Sequence, residues 1–224
     1  MHRRKFITGL MAATCGGWGA NAGAAGLLAR GNGALIDLGS GASMYERYDA
    51  EPEPDHFRID IPRVRPSFDF AVGTPQLTMY NVHTEESIAV RPMSANGVDQ
   101  NALRQVNHFM RDWRRNEVKP ISEDTVLGLL QIQQAARRNG FNDQIRFLSG
   151  YRSRATNDAL RSGGAQAARN SLHIEAKAVD FSLPGVGIGP TIAMAKELGI
   201  GGVGGYSTFV HIDSGRVRYW GTAA

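Results

Sequence analysis

Two histidines and an aspartate in the second half of the chain have the residue types and spacing of metal ligands. The stretch NSLHIEAKAVDF contains His173 and Asp180, and TFVHIDSG contains His211. Two imidazoles and one carboxylate leave a coordination position open for water, which is typical of catalytic rather than structural zinc. The alternative for His173 is a packed or exposed role, since a single histidine is often structural. The pattern predicts a zinc site formed by these three residues.

Two other motifs suggest different chemistry, and the sequence argues against both. His211 and Asp213 form the His-x-Asp pair of non-haem iron sites, but those enzymes place a further histidine well after the pair. Only eleven residues follow Asp213, and none is histidine. GIGGVG (199–204) has the letters of a dinucleotide fingerprint, but here a helix precedes the glycines and a strand follows them, the reverse of that motif. These glycines are predicted to allow a tight turn and close backbone approach near the site.

The amino-terminal residues 1–24 are typical of an export signal. Arg3-Arg4 precedes a short run of apolar and small residues that ends in Ala-x-Ala sequences, and the paired arginines favour the twin-arginine route. The run is too short and too rich in Gly and Ala to span a bilayer. We therefore expect a periplasmic protein, exported by the twin-arginine machinery and without a stable membrane span after cleavage.

Removal of this leader would change the cysteine content and the net charge of the protein. The leader holds the only cysteine, Cys15, so the exported protein has neither a disulfide nor a thiol nucleophile. It also holds three of the 25 basic residues and none of the 21 acidic ones, which leaves a net charge of +1. The basic character of the whole chain is therefore no argument for nucleic-acid binding. The remaining histidines, His2, His56, His83 and His108, are predicted to be solvated or packed.

Residues 25–76 are interpreted as a linker or extended arm, because Gly, Pro and mixed charge interrupt any helical period. The elements that must position the site follow this arm. The domain is predicted to span 77–224. A hairpin opens it, two helices capped by Asp99 and Ser122 follow, and strands then alternate with short helices. Trp113 is expected on the buried face of the first helix, and Pro190 and Gly199 are expected to bound the last one. The order indicates an α+β fold with a mostly antiparallel sheet packed against helices. Predicted strands lie at 77–82, 87–91, 145–150, 176–183, 209–213 and 216–220.

Period-two alternation inside the late strands assigns side chains to faces. In AKAVDFSL, Val179 and Phe181 are expected to face the core and Asp180 the opposite side. In FVHID, Val210 and Ile212 are likewise expected on the core side, with His211 and Asp213 opposite. The candidate ligands should therefore share one face of the sheet.

Several separated motifs resemble the murein endopeptidase K family. They are SGYRSRATN (149–157), SLHIEAKAVDF (171–181), GGVGGYSTFVHIDSGRVRYW (201–220) and the helix LRQVNHFMRDWRRNEVKPI, in that family's order. The family belongs to a group of zinc peptidases with D-Ala-D-Ala metallopeptidases, lysostaphin-type enzymes and the hedgehog fold. The resemblance covers about Leu77 to Trp220. It implies a Zn²⁺ cofactor held by His173, Asp180 and His211, and hydrolysis of peptide cross-links in peptidoglycan. It also implies that Arg152 binds substrate or steadies the oxyanion.

The chain departs from the family's pattern at three places. Ala176 stands where the motif has Gly, the segment between Tyr206 and His211 is shorter than in the family, and Thr208 and Phe209 stand where the wider group often has a catalytic base. Asp213, two residues from His211 on one strand face, is the candidate substitute base, with a role behind the ligands or at the turn as the alternative. Ala176 and the missing upstream base keep open a non-catalytic peptidoglycan-binding protein on the same fold. A D,D-carboxypeptidase of the same group is a further alternative.

Overall fold

The computed structural model describes residues 51–53, 64, 66–165 and 167–224, so the predicted leader lies outside the described residues. The described chain forms nine strands, four α-helices and a 3-10 helix at Phe70–Val72. The strands are β1 (Leu77–Asn81), β2 (Ser87–Val90), β3 (Met93–Ser94), β4 (Gly97–Val98), β5 (Ile145–Ser149), β6 (Ala178–Ser182), β7 (Gly202–Gly205), β8 (Val210–Asp213) and β9 (Arg218–Gly221). The helices are α1 (Gln100–Phe109), α2 (Glu123–Arg138), α3 (Arg154–Ser162) and α4 (Ile188–Leu198).

Seven strands form one sheet in the order β2-β1-β5-β6-β8-β7-β9. Four of its six neighbouring pairs are antiparallel, whereas β1 pairs with β5 and β7 with β9 in parallel. The α+β class and the mostly antiparallel sheet are confirmed. The two parallel pairs were not predicted from the sequence. β7 lies between the two last strands, which therefore do not form a hairpin.

The main core lies between one face of this sheet and helices α1, α2 and α4. Val179, Phe181, Val210 and Ile212 belong to it, as their alternation predicted. The opposite face carries a smaller apolar cluster formed by Leu148, Tyr206, Phe209 and Trp220. Asp180 and His211 alternate with the core residues and so belong to this second face.

The predicted helix boundaries are partly confirmed. Asp99 caps α1 by accepting hydrogen bonds from the backbone N–H groups of Asn101 and Ala102. The helix ends at Phe109, however, so Trp113 lies beyond it and its predicted helical position is wrong. Ser122 immediately precedes α2, but its hydroxyl makes no cap bond. That hydroxyl accepts a hydrogen bond from Ser214 instead, at 2.9 Å.

The last helix begins at Ile188, two residues before the predicted start at Pro190. It ends at Leu198, and Gly199 caps its carboxyl end as predicted. Gly199 has φ 59°, the left-handed conformation that glycine adopts without a steric penalty. The helix packs beside α2 and over β7, and it holds the glycine-rich strand in place.

The described parts of the predicted arm lie against the domain. The Val64 N–H donates to the Gly199 carbonyl at 2.9 Å, and Gln131 donates to the Ser67 carbonyl at 2.6 Å. Glu51 and Glu53 reach the loop before β6. No helix formed by the described residues is both long and apolar enough to cross a bilayer.

Candidate metal centre

Asp180 and His211 meet because their strands are neighbours. Asp180 lies on β6 and His211 on β8, and the antiparallel register makes them direct cross-strand partners. Side chains of such partners project from the same face with Cβ atoms about 5 Å apart. The pairing of the two strands therefore brings a carboxylate and an imidazole together without any help from a loop.

The third predicted ligand, His173, lies in the turn before β6. Its Nε2 is 3.2 Å from His211 Nδ1 and 3.3 Å from Asp180 Oδ2, and His211 Nδ1 is 2.9 Å from Asp180 Oδ1. All three residues are buried, with 1%, 2% and 2% of their surface exposed for His173, Asp180 and His211. Among the described residues, they form a cluster whose ligand atoms all lie within 4.8 Å of one another.

Partners on the far side of each ring leave the inward nitrogens free to coordinate a cation. His173 Nδ1 donates to the Gly150 carbonyl at 2.7 Å, and His211 Nε2 donates to Asp213 Oδ2 at 3.2 Å. A neutral imidazole that donates from one nitrogen presents a lone pair at the other. Two imidazole lone pairs and a carboxylate thus converge on one point, and this donor set fits a zinc ion.

The electrostatics of the cluster also suit a cation. Burial alone would favour neutral groups, but hydrogen bonds with Asp180 and Asp213 raise the pKa of His211 to about 9. For Asp180, burial again favours the neutral form, yet His173 and His211 hold its pKa well below the usual range. The cluster therefore keeps Asp180 ionised, and an anionic carboxylate is the form that binds a cation. A metal ion that binds here would replace protons, as metal ligation by histidine requires.

The turn that presents His173 closes in a strained conformation. The Ala176 N–H donates to the His173 carbonyl at 3.1 Å and the Lys177 N–H to the Leu172 carbonyl at 2.9 Å. These two bonds form a Schellman motif, whose C′ residue is usually glycine in the left-handed region. Ala176 occupies that position with φ 56°. The backbone there does need a positive φ, and alanine adopts it at an energetic cost.

Replacing Ala176 with glycine is expected to stabilise the domain by up to about 1 kcal/mol. The left-handed conformation costs a residue with a Cβ roughly 1–2 kcal/mol, and the loss of one buried methyl offsets about 0.8 kcal/mol of that gain. Denaturant unfolding would measure the difference. Ala178→Gly, a fully buried change in neighbouring β6, is the matched control and should cost about 1–2 kcal/mol. Equal destabilisation by both variants would contradict the strain at Ala176.

Arg152 lies beside the cluster and is 3% exposed, so it is not a surface loop arginine. Its Nη2 is 3.8 Å from Asp180 Oδ2, and its Nη1 donates to Asn157 Oδ1 at 3.2 Å. Among the described residues, its buried Nε has no hydrogen-bond partner. A buried guanidinium N–H without a partner is costly, so Arg152 can readily donate to a carbonyl or carboxylate that enters the site.

Asp213 lies behind His211, against the ring nitrogen that faces away from His173 and Asp180. Besides His211 Nε2, its carboxylate contacts Arg218 at 2.8 Å and accepts hydrogen bonds from the N–H groups of Gly202 and Gly215. These contacts fix the side chain against the outer nitrogen of His211. This geometry fits the alternative role, in which Asp213 orients His211. A direct role as the base stays a prediction.

Three further residues beside the site, Asn157, Tyr206 and Trp220, were not predicted from the sequence to be functional. Asn157 is fully buried and holds Arg152, and the shared motif SGYRSRATN was the available signal. The Trp220 ring lies against the His211 ring at a tilt of 57°, with centroids 5.1 Å apart, and its Nε1–H donates to the Tyr206 hydroxyl at 2.9 Å. A side chain at Gly204 would overlap the Trp220 ring, which confirms the predicted close approach of the glycine-rich strand. These aromatic positions show no spacing that would identify them beforehand.

Comparison with known proteins finds a matching family and several similar proteins. A family profile described as peptidoglycan L,D-endopeptidase MepK matches residues 69–220. The proteins named peptidoglycan L,D-endopeptidase MepK from Escherichia coli K12 and Shigella flexneri are each 36% identical to the chain over 154 residues, covering 66% of this chain and 83% of theirs. The probable peptidoglycan L,D-endopeptidase MepK of Haemophilus influenzae is 35% identical over 154 residues, covering 66% of this chain and 82% of its own. No solved structure matches the chain significantly.

Proposed function

Because the chain belongs to the family described as peptidoglycan L,D-endopeptidase MepK, we propose that it is a zinc-dependent endopeptidase that hydrolyses L,D cross-links of peptidoglycan. The buried convergence of His173, Asp180 and His211 is the observation that carries the proposal. The substrate class comes from the relatives' names, and the metal from the donor set. Each remaining step is assigned to residues of this chain.

His173 Nε2, His211 Nδ1 and the Asp180 carboxylate would hold the ion. When bound there, zinc supplies Lewis acidity that activates water and polarises the scissile carbonyl. Gly150 and Asp213 keep the two rings in the correct tautomer through their outer nitrogens. Removing such outer partners typically costs 10–100-fold in affinity or activity.

Arg152 would stabilise the charge that develops on the carbonyl oxygen. It lies on the Asp180 side of the cluster, and Asn157 fixes its orientation. A fixed cation in a buried site stabilises an oxyanion more strongly than the same cation in water. Burial raises the pKa of Tyr206, so its phenol stays protonated at neutral pH and offers a proton donor beside the site, not a base.

Asp213→Asn is expected to weaken zinc binding by about 10–100-fold while activity recovers when zinc is supplied in excess. An amide that also serves the Gly202 and Gly215 N–H groups holds His211 Nε2–H less firmly, so the coordinating tautomer is less populated. Competition with a metal-binding dye would give the affinity.

Arg218→Gln is the matched control, because it breaks the same buried ion pair and leaves the His211 contact in place. Activity that stays lost in Asp213→Asn with zinc fully bound would instead assign Asp213 a direct role in proton transfer.

We propose that the enzyme acts in the periplasm, where peptidoglycan lies. Support comes from the leader pattern of residues 1–24, with Arg3-Arg4 as the feature that favours the twin-arginine export machinery. The peptide cross-links of peptidoglycan would be the main partner. The proposed chain thus has three parts: a leader at 1–24, an arm at 25–76 that connects it to the domain, and the peptidase domain at 77–224.

Incubation of the protein with purified sacculi, with and without a chelator, tests the function. We expect cross-linked dimers to disappear in the presence of zinc, with fragments cut at an L,D bond by mass spectrometry, and the chelator to stop the reaction. Release of terminal D-Ala alone would support a D,D-carboxypeptidase instead. Intact dimers with a zinc-loaded protein bound to the sacculi would support the non-catalytic binding function.

A further inference from the structure

Two glutamates of the arm bind one loop beside the candidate metal centre. The loop, Ala168–Ser171, is here called the carboxylate loop. The Ser171 hydroxyl donates to Glu51 Oε1 at 2.8 Å, and the Ala168 N–H donates to Glu51 Oε2 at 3.4 Å. The Arg169 and Asn170 N–H groups donate to the two carboxylate oxygens of Glu53, the latter at 3.0 Å. Consecutive backbone N–H groups and a hydroxyl therefore hold two carboxylates.

The carboxylate loop is continuous with the site. Besides binding Glu51, the Ser171 hydroxyl accepts a hydrogen bond from the His173 N–H at 3.3 Å. At the other end of the loop, Asn157, which holds Arg152, donates to the Ala168 carbonyl at 3.0 Å. A substrate bound at the metal ligands would therefore pass close to the Ala168 N–H and the Ser171 hydroxyl, the two groups that Glu51 contacts.

Glu51 also shares its surroundings with a metal ligand. Burial is the main cause of the raised pKa of Tyr206, and the negative charges of Asp180 and Glu51 both add to it. Glu51 itself is buried against the loop. An arm residue with the same type of charge as an acidic peptide therefore lies near the candidate metal centre.

The sequence of the arm suits a competitor. DAEPEPD (49–55) has four acidic residues, no basic one and two prolines. Proline restricts the backbone to extended conformations, so little entropy is lost when this segment binds. A tethered segment has an effective concentration in the millimolar range, so weak contacts are enough to fill the loop.

We propose that Glu51 and Glu53 are an intramolecular competitor that occupies the carboxylate loop and must be displaced by the carboxylates of an acidic substrate peptide. The proposal rests on the proposed function for the identity of that substrate, since peptidoglycan peptides carry free carboxylates. In this proposal the arm inhibits substrate binding, in addition to linking the leader to the domain.

Amide NMR on the full chain tests the occupancy directly. In the double variant Glu51→Gln/Glu53→Gln, the amide proton resonances of Ala168, Arg169 and Asn170 should move upfield as charged acceptors are lost. A synthetic DAEPEPD peptide, added to millimolar concentration, should restore them in the variant and leave the parent unchanged. The peptide DAQPQPD is the control ligand. Resonances that do not respond to the substitutions or to the peptide would overturn the proposal.

Kinetics with a soluble cross-linked peptidoglycan fragment test the competition. The double variant should show a value of kcat/KM about fivefold or more above the parent, mostly through a lower KM, because the open loop is more populated. The charge-matched control, Asp143→Asn/Glu197→Gln, changes two exposed acids outside the arm and should behave as the parent. A folded double variant with unchanged or lower kcat/KM would overturn the competitor role.

The two proposals fail in different ways. If no variant cleaves peptidoglycan, the endopeptidase function fails, and the peptide titration still decides whether the arm occupies the loop. If the parent cleaves and the loop resonances never respond, the competitor fails alone.

Discussion

Asp180→Asn is expected to lower peptidoglycan hydrolysis by about a thousandfold or more, equivalent to ~4 kcal/mol of transition-state stabilisation. The amide keeps the size of the side chain and removes the negative charge that two imidazoles and Arg152 surround. A neutral oxygen is a much weaker zinc ligand, so the purified variant should contain little metal. Elemental analysis and dimer cleavage are the two measurements.

The matched control for this change is Asp143→Asn, the same substitution at an exposed position. It should retain zinc and activity. Because neighbouring imidazoles hold the pKa of Asp180 below its usual range, its carboxylate contributes stability to the zinc-free fold above the unfolded pKa, and this is lost as pH falls through the folded value. Asp180→Asn should therefore also be less stable near neutral pH. Full zinc content in the variant would contradict the ligand assignment.

Arg152→Ala is expected to lower kcat by about 10²–10³-fold, the typical loss when one preorganised oxyanion donor is removed. Zinc content should stay at the parent level, because Arg152 contacts the carboxylate and is not a ligand. The charge it supplies matters most when the carbonyl oxygen becomes negative, so KM should change less than kcat. Steady-state kinetics on a cross-linked fragment would separate the two constants.

Arg161→Ala, at an exposed position on α3, is the control for loss of an arginine. Arg152→Lys should recover part of the rate, since it keeps the charge and loses the two-pronged geometry. An increase in KM with kcat unchanged would assign Arg152 to ground-state binding of a substrate carboxylate. That result would favour substrate binding over oxyanion stabilisation, the two roles that the family resemblance implies for Arg152.

Local periodicity accounts for most of what could be predicted. The alternation in AKAVDFSL and FVHID placed Val179, Phe181 and Ile212 in the core and left Asp180 and His211 on the other face. A strand has a repeat of two residues, so a few neighbours in sequence are enough to assign faces. The α1 cap at Asp99 and the end of α4 at Gly199 were predicted for the same reason, since caps depend on residues one to three positions away.

Predictions that depended on partners distant in sequence were less successful. Ser122 has the residue type of a cap, but its hydroxyl bonds to Ser214, which is far away in the chain. Asp213 has the correct strand face for a base, but Arg218 and two backbone N–H groups hold it against the outer nitrogen of His211. Residue type gave both a possible role. Three-dimensional neighbours selected another for Ser122 and favour another for Asp213.

The sequence by itself determined the three candidate ligands, the strand faces and the fold class, because these depend on residue chemistry and short-range repeats. Only the tertiary structure decided that β6 and β8 are neighbours with Asp180 opposite His211, that β7 separates the last strands, and that Glu51 lies on the carboxylate loop. Strand order, the direction of a buried side chain and the docking of an arm are set by contacts between distant segments. Such contacts leave no periodic pattern along the chain.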